Sequence, residues 1–236
     1  KVKHMHPEAR KIFKSFTVPL LLSLLMIGVK VFEVLSLTDL GVYGVLPRQI
    51  SGLKGILFIP FLHADWEHLF SNVIPLLVTG SMLFYFYREM AVKVILLIYI
   101  LSGFWLWLGG RENYHIGASN IVYGITAFLF LSGFIRKHTG LIAVSLLMVF
   151  LYGSLVWGLF PVVPKISWEG HLFGALSGIL CAIVFRKEGQ QQEVYEWTDD
   201  DEPFDDHEND DNAPQSSLKI VYSYKKSDEK NGTEES

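Results

Sequence analysis

Apolar residues in this chain gather into six long runs, separated by shorter polar or charged connections. A helix that crosses the ~30 Å hydrocarbon layer of a bilayer needs about 20 mostly apolar residues, and shorter helices are tolerated where the bilayer thins. Six stretches meet or nearly meet this requirement: residues 18–37, 69–87, 92–108, 118–135, 141–160 and 168–185. The pattern therefore predicts an all-α, polytopic membrane protein with six transmembrane helices.

Composition agrees with a membrane protein. Half of the residues are apolar, 14% are aromatic and the mean hydropathy is +0.32, which is more than a soluble domain of this length needs. The lone cysteine, Cys181, excludes an intramolecular disulfide and a multi-cysteine metal site. No metal or organic cofactor is implied, and no nucleic-acid partner is expected.

The chain divides into three parts by composition. Residues 1–16 form a basic N-terminal arm, and residues 17–188 form the transmembrane domain. Residues 189–236 form an acidic tail, because residues 190–236 hold 15 of the 24 acidic residues against 4 lysines. Such a composition is typical of a disordered segment.

Basic residues beside the runs predict the orientation, because lysine and arginine concentrate on the cytoplasmic side. With six spans, the N-terminal arm and three basic junctions fall on one side: Arg88 and Lys93, Arg136 and Lys137, Arg186 and Lys187. The opposite side has only Arg48, Lys54, Arg111 and Lys165, spread over three loops. Both termini are therefore expected in the cytoplasm, and the compact bundle suggests a bacterial cytoplasmic membrane.

Three polar clusters lie near the outward ends of these spans, where ionisable groups are costly and usually mark function. In the first, His68 and Asn72 are four residues apart and share one face of a helix. Asp65 is placed to cap the start of that helix. The alternative is that these are interfacial polar residues that anchor a helix end.

The second cluster contains Ser119 at the start of the fourth run. A helix N-terminus offers free N–H groups and a positive dipole end, which together can stabilise an oxyanion. Gly117 and Ala118 leave space for a substrate backbone. The alternative is that Ser119 is only a helix cap, and Ile121 rules out the G-x-S-x-G turn of soluble hydrolases.

The third cluster opens the sixth run with His171. Small residues recur there every four positions and allow another helix to approach closely: Gly170, Gly174, Gly178 and Ala182. Simple packing explains the small residues, and a lone interfacial histidine is the alternative for His171. Together, however, a hydroxyl and an imidazole make a nucleophile and its base. We expect a Ser119–His171 dyad, with oxyanion donors from His68, Asn72 and the Ser119 amide.

These motifs resemble the rhomboid intramembrane serine proteases. The resemblance covers residues 17–188 and rests on three patterns: H-x-x-x-N at His68–Asn72, G-x-S with a tyrosine four residues later at Ser119 and Tyr123, and H-x-x-G-x-x-x-G at His171–Gly178. It implies that Ser119 lies at the bottom of a hydrated cavity and that Tyr123 stacks on His171. It also implies single-pass transmembrane proteins as substrates, entering sideways from the lipid bilayer.

One residue departs from the family pattern, since Asn120 stands where glycine usually follows the serine. Its side chain is a possible obstruction of the oxyanion site, which leaves a catalytically inactive, client-binding rhomboid-like protein as the alternative function. A transporter with a His68–His171 proton relay is a third hypothesis. The lack of an inverted-repeat pattern and of intramembrane carboxylate pairs disfavours it.

Overall fold

The computed structural model describes residues 6–162 and 166–189, which all belong to one compact unit. These residues contain helices and no named strand; one isolated β-bridge joins Val45 to His115. The helices are α1 (Pro7–Ser36), α2 (Gly55–Phe58), α3 (Trp66–Phe86), α4 (Ala91–Gly109), α5 (Ser119–Arg136), α6 (Thr139–Tyr152) and α7 (Trp168–Val184). Short 3₁₀ segments cover Gly41–Tyr43, Ile50–Gly52, Ile59–Phe61 and Gly153–Leu159.

The all-helical prediction is confirmed for the described residues, and each of the six apolar runs contains a helix. Four helices, α1, α3, α4 and α5, are long and apolar enough to cross a membrane. The other two, α6 and α7, are apolar but have only 14 and 17 residues. The length and composition of these helices indicate an integral membrane protein, and the six-span topology stays a proposal. The tail predicted as disordered lies outside the described residues from residue 190 onward.

Helix bounds differ from the apolar runs at two places. Helix α1 begins at Pro7, so the last ten residues of the predicted N-terminal arm are helical. Proline is favoured in the first turn because its missing N–H is not needed there. The fifth run is not one continuous α-helix, because α6 ends at Tyr152 and a 3₁₀ segment, Gly153–Leu159, follows.

Helix α5 is the most buried of the four long helices, and 61% of its apolar window lies inside the protein. It packs chiefly against α7. A Cβ on Gly174 would overlap the carbonyl oxygen of Asn120, and one on Gly178 would overlap that of Gly124. These two glycines of α7 therefore allow the backbones of α5 and α7 to come into direct contact.

Helix α1 packs against α3 and carries an unusual buried ion pair. Lys30 Nζ lies 2.7 Å from Glu33 Oε2, and both side chains are largely buried. The loop from residue 38 to residue 65 returns the chain from α1 to α3. Asp65 accepts a 2.7 Å hydrogen bond from the backbone N–H of His68, so the predicted cap at the start of α3 is confirmed.

Candidate active site

A cavity of about 680 Å³ lies at the N-terminal ends of α3, α5 and α7. Its lining includes five of the residues predicted from the motifs: His68, Asn72, Ser119, Tyr123 and His171. The wall also includes Gly158 of the 3₁₀ segment and residues of the loops before α5 and α7: Arg111, Asn113, Tyr114, His115, Ile116, Ile166 and Ser167. Three segments distant in sequence thus bring their predicted residues to one site.

Ser119 is the first residue of α5, and Ala118 occupies the N-cap position without a side-chain cap bond. The serine hydroxyl is therefore not consumed in capping the helix, which was the alternative role for it. Ser119 is half-buried on the wall of the cavity. The positive end of the α5 dipole lies beside it.

His171 is held by two contacts. Its Nδ1 lies 2.9 Å from the carbonyl oxygen of Gly158, and its ring stacks on Tyr123 at a centroid distance of 4.1 Å and an interplanar angle of 9°. Since a carbonyl only accepts, Nδ1 carries the proton and Nε2 keeps a lone pair. Tyr123 is one helical turn beyond Ser119, on the same face of α5. The ring of His171 thus stacks on α5 one turn from Ser119.

Gly158 contributes to this arrangement, although no sequence pattern pointed to it. It lies in the apolar Gly153–Leu159 segment, where no polar pattern marks it. A Cβ at this position would overlap Tyr123 Oη and would come within 3.0 Å of His171 Nδ1. Glycine thus lets the carbonyl reach His171 without displacing Tyr123 or the His171 ring.

The ring of His68 lies against Gly117. Gly117 has φ +109°, and a Cβ there would lie 2.7 Å from His68 Nε2. That backbone angle and that contact both require glycine. The backbone N–H of Ala64 donates a long, 3.4 Å hydrogen bond to His68 Nδ1. Nε2 is then the protonated nitrogen and a hydrogen-bond donor on the Gly117 side.

Asn72 is buried in the cavity wall, but its amide does not point as an oxyanion donor would. Its Nδ2 donates to the carbonyl oxygen of His68 at 2.7 Å, and its Oδ1 has no partner. Oδ1 is the atom nearer Gly117, 3.9 Å from the position of a Cβ there. Nδ2 also donates a long, 3.4 Å hydrogen bond to Ser71 Oγ, so donation by Asn72 to a substrate requires the amide to rotate and to give up these bonds.

Asn120 is turned away from the cavity. Its Nδ2 donates a 2.8 Å hydrogen bond to Ser102 Oγ on α4, the residue is 1% exposed, and it is absent from the cavity lining. The side chain thus occupies the contact between α4 and α5. The suspected obstruction of the oxyanion site does not occur in this structure.

A polar cluster ties the loop before α5 to the start of α7. His115 Nδ1 lies 2.6 Å from Ser167 Oγ, and its Nε2 lies 3.0 Å from the carbonyl oxygen of Arg111. Arg111 Nε lies 3.5 Å from Glu169 Oε1. Burial lowers the pKa of His115 below its usual value, so the ring is neutral near pH 7. The sequence offered no role for Arg111, because its partners are some 55 residues away.

Among the described residues there is no group of three or more His, Cys, Asp or Glu side chains that could hold a metal ion.

The fold and the cavity define an integral membrane protein with a polar site among its helix ends, and comparison with known proteins identifies its family. Residues 51–188 match the model of the Rhomboid domain. Uncharacterized proteins of Mycobacterium bovis and Mycobacterium tuberculosis are each 38% identical to this chain over 164 residues, which cover 65% of this chain and 68% of the relative. An uncharacterized protein of Mycobacterium leprae is 34% identical over 164 residues, covering 65% and 64%. The chain belongs to the rhomboid family, as the three motifs predicted.

Proposed function

We propose that this protein is an intramembrane serine endopeptidase in which Ser119 is the nucleophile and His171 its general base. The observation that carries the proposal is the state of His171. Its Nδ1–H is bound to the Gly158 carbonyl, and its ring is stacked on Tyr123, one turn from Ser119. This arrangement leaves Nε2 as the proton acceptor. Members of the rhomboid family are generally intramembrane proteases, which agrees with this assignment.

The proposed reaction is acyl transfer in two stages. His171 Nε2 removes the Ser119 proton as Oγ bonds to the substrate carbonyl carbon, and the imidazolium then protonates the departing amine as the C–N bond breaks. Water subsequently attacks the acyl-serine, again with His171 as base, and releases the new carboxylic acid. The carbonyl oxygen becomes negative in both stages, so N–H donors from His68 Nε2 and the Ser119 amide stabilise it, joined by Asn72 after its amide rotates.

The proposal includes a topology and a class of substrates. Helices α1, α3, α4, α5, α6 and α7 make six spans, with both termini in the cytoplasm on the basic-residue pattern. The relatives are bacterial, which favours the bacterial cytoplasmic membrane. The substrates are single-pass transmembrane proteins, cleaved in or near their helices.

The alternative of an inactive client-binding protein was motivated by Asn120. Since the Asn120 side chain donates a hydrogen bond to Ser102, it gives no reason to prefer this alternative. A protein of this kind would bind a transmembrane segment without cutting it.

Cleavage of a single-pass transmembrane reporter in proteoliposomes tests the proposal. We expect cleavage by the wild-type chain and loss of at least about 1,000-fold in rate for Ser119→Ala and for His171→Ala. Ser154→Ala is the matched control, because Ser154 is exposed in the 3₁₀ segment. Wild-type rates in either active-site variant would end the proposal, whereas binding without cleavage by the wild-type chain would favour the inactive alternative.

A further inference from the structure

We propose that Lys30 of α1 is a positioning residue that holds His68 in the tautomer and orientation of an oxyanion donor; this inference rests on the proposed function. Lys30 is 6% exposed in a helix apolar enough to span a membrane. A charge at such a position is costly. Its contacts lead to the catalytic cavity and indicate its role.

All three donors of the Lys30 ammonium are used. Nζ donates to the carbonyl oxygens of His63 and Ala64, both at 2.9 Å, and to Glu33 Oε2 at 2.7 Å. The two carbonyls belong to the last residues before Asp65, the cap of α3. Lys30 thus fixes the backbone at the point where the long loop becomes the helix that carries His68.

Glu33 holds the other end of the same loop. Its Oε1 accepts a 3.1 Å hydrogen bond from the backbone N–H of Leu40, while Oε2 binds Lys30. A single ion pair on α1 therefore anchors both the first and the last residues of the loop between α1 and α3.

The anchored loop end contacts His68 directly. The N–H of Ala64 donates to His68 Nδ1, and the ring of His63 packs edge-on against the ring of His68 at a centroid distance of 5.1 Å. An N–H that faces Nδ1 favours the tautomer with the proton on Nε2. That proton lies on the Gly117 side, where a substrate oxygen would become negative. Lys30 binds the carbonyl of the residue whose N–H selects this tautomer.

Four variants separate the positioning role of Lys30 from a purely structural one. A broken buried ion pair destabilises a protein because it leaves an uncompensated charge. The test variant is therefore Lys30→Met combined with Glu33→Gln, which removes both charges and retains an acceptor for the Leu40 N–H. Glu33→Gln alone keeps the bonds from Lys30 to the two carbonyls. Lys30→Arg preserves a cationic donor, and Lys54→Met, at an exposed lysine of the same loop, is the matched control.

The first measurement needs no activity. Nitrogen NMR of the full chain with ¹⁵N-labelled histidine, assigned with His68→Ala, reports the tautomer of His68 at neutral pH. We expect the Nε2–H tautomer in the wild-type chain, in Glu33→Gln and in Lys54→Met, and a mixture of tautomers in the Lys30→Met/Glu33→Gln variant. An unchanged His68 signal in that variant would overturn the inference whether or not the protein is a protease.

The second measurement is cleavage of the transmembrane reporter. A donor lost from an oxyanion site costs about 100- to 1,000-fold in kcat, so a misplaced donor should cost about 10-fold, with KM changed less than about twofold. Lys30→Arg should recover most of the rate. In a His68→Ala background the Lys30→Met/Glu33→Gln change should lower kcat less than about twofold, because the side chain that Lys30 positions is absent. Equal losses in both backgrounds, or an equal loss in Glu33→Gln alone, would show a structural role only. No cleavage by the wild-type chain would instead refute the proposed function and leave the tautomer result to decide on Lys30.

Discussion

The contact of Gly158 with Tyr123 and His171 gives the sharpest prediction. In Gly158→Ala the new methyl group would overlap Tyr123 Oη and would lie 3.0 Å from His171 Nδ1. The chain has to relieve this by moving the Gly158 carbonyl away from His171 or by turning Tyr123 off its rotamer. A lost hydrogen bond costs about 0.5–1.5 kcal/mol, and a displaced rotamer costs about the same. Either cost, about 0.5–1.5 kcal/mol, predicts a roughly 2- to 13-fold loss in kcat/KM.

The assay is cleavage of a transmembrane reporter in proteoliposomes, with thermal unfolding measured on the same preparations. Gly153→Ala is the matched control, because it lies in the same 3₁₀ segment and its Cβ would meet Val149 Cγ1 at an ordinary 3.8 Å. We expect Gly153→Ala to retain the wild-type rate. If Gly158→Ala is as active as Gly153→Ala, the Gly158 carbonyl does not set the state of His171 and this reasoning is wrong.

Three further predictions follow from other contacts. Gly117→Ala should lower kcat about 100-fold or more, because the φ of +109° at Gly117 and the 2.7 Å approach of a Cβ to His68 Nε2 exclude a side chain. The control Gly28→Ala, where a Cβ meets nothing within 4 Å, should leave the rate unchanged. Similar rates for the two variants would contradict the account. Asn120→Ala should lower the unfolding free energy by about 1–2 kcal/mol through the lost hydrogen bond to Ser102 and should change kcat less than about threefold. A large loss of kcat in well-folded protein would mean that the Asn120 side chain acts at the oxyanion site. Burial, together with the neighbouring His68, lowers the pKa of His63 from 6.5 to about 4, so the unfolded chain binds a proton that the folded chain does not between these values. The unfolding free energy should therefore fall by up to about 3 kcal/mol as the pH drops from about 6.5 to about 4. The unfolding temperature of His63→Phe should depend less on pH over that range than that of the wild-type chain, and an equal pH dependence would refute the assignment.

The helices and the motif residues could be predicted because their signals are local in sequence. An apolar run long enough to span a bilayer is visible without any knowledge of neighbours. Spacings of four residues place His68 with Asn72 and Ser119 with Tyr123 on one helix face. Asp65 caps α3 as its position suggested, because a cap depends only on the next three residues.

What the sequence could not show depends on contacts between distant segments. Gly158 meets Tyr123 and His171 across a cavity, and its apolar surroundings give no hint of this. The orientation of Asn120 is decided by Ser102, 18 residues earlier on another helix. Similarly, the pairing of Lys30 with Glu33 is local, at i and i+3, but the bonds from Lys30 to the loop carbonyls cross more than 30 residues.

The end of α6 at Tyr152 could not be predicted from the sequence either. The fifth apolar run has no proline before position 161, and its serines and glycines, Ser145, Gly153, Ser154 and Gly158, do not mark where an α-helix must end. The structure nevertheless changes to a 3₁₀ segment after Tyr152. This change places the Gly158 carbonyl beside His171.

The central claim is that the imidazole of His171 activates the hydroxyl of Ser119. Labelling of the full-length protein with a fluorophosphonate probe, followed by peptide mapping, measures this directly, since such probes react with activated serines. We expect the wild-type chain to be labelled at Ser119, Ser119→Ala to remain unlabelled, and His171→Ala to react at least about 100-fold more slowly. Equal labelling of all three proteins, or no labelling of a folded wild-type chain, would contradict the account.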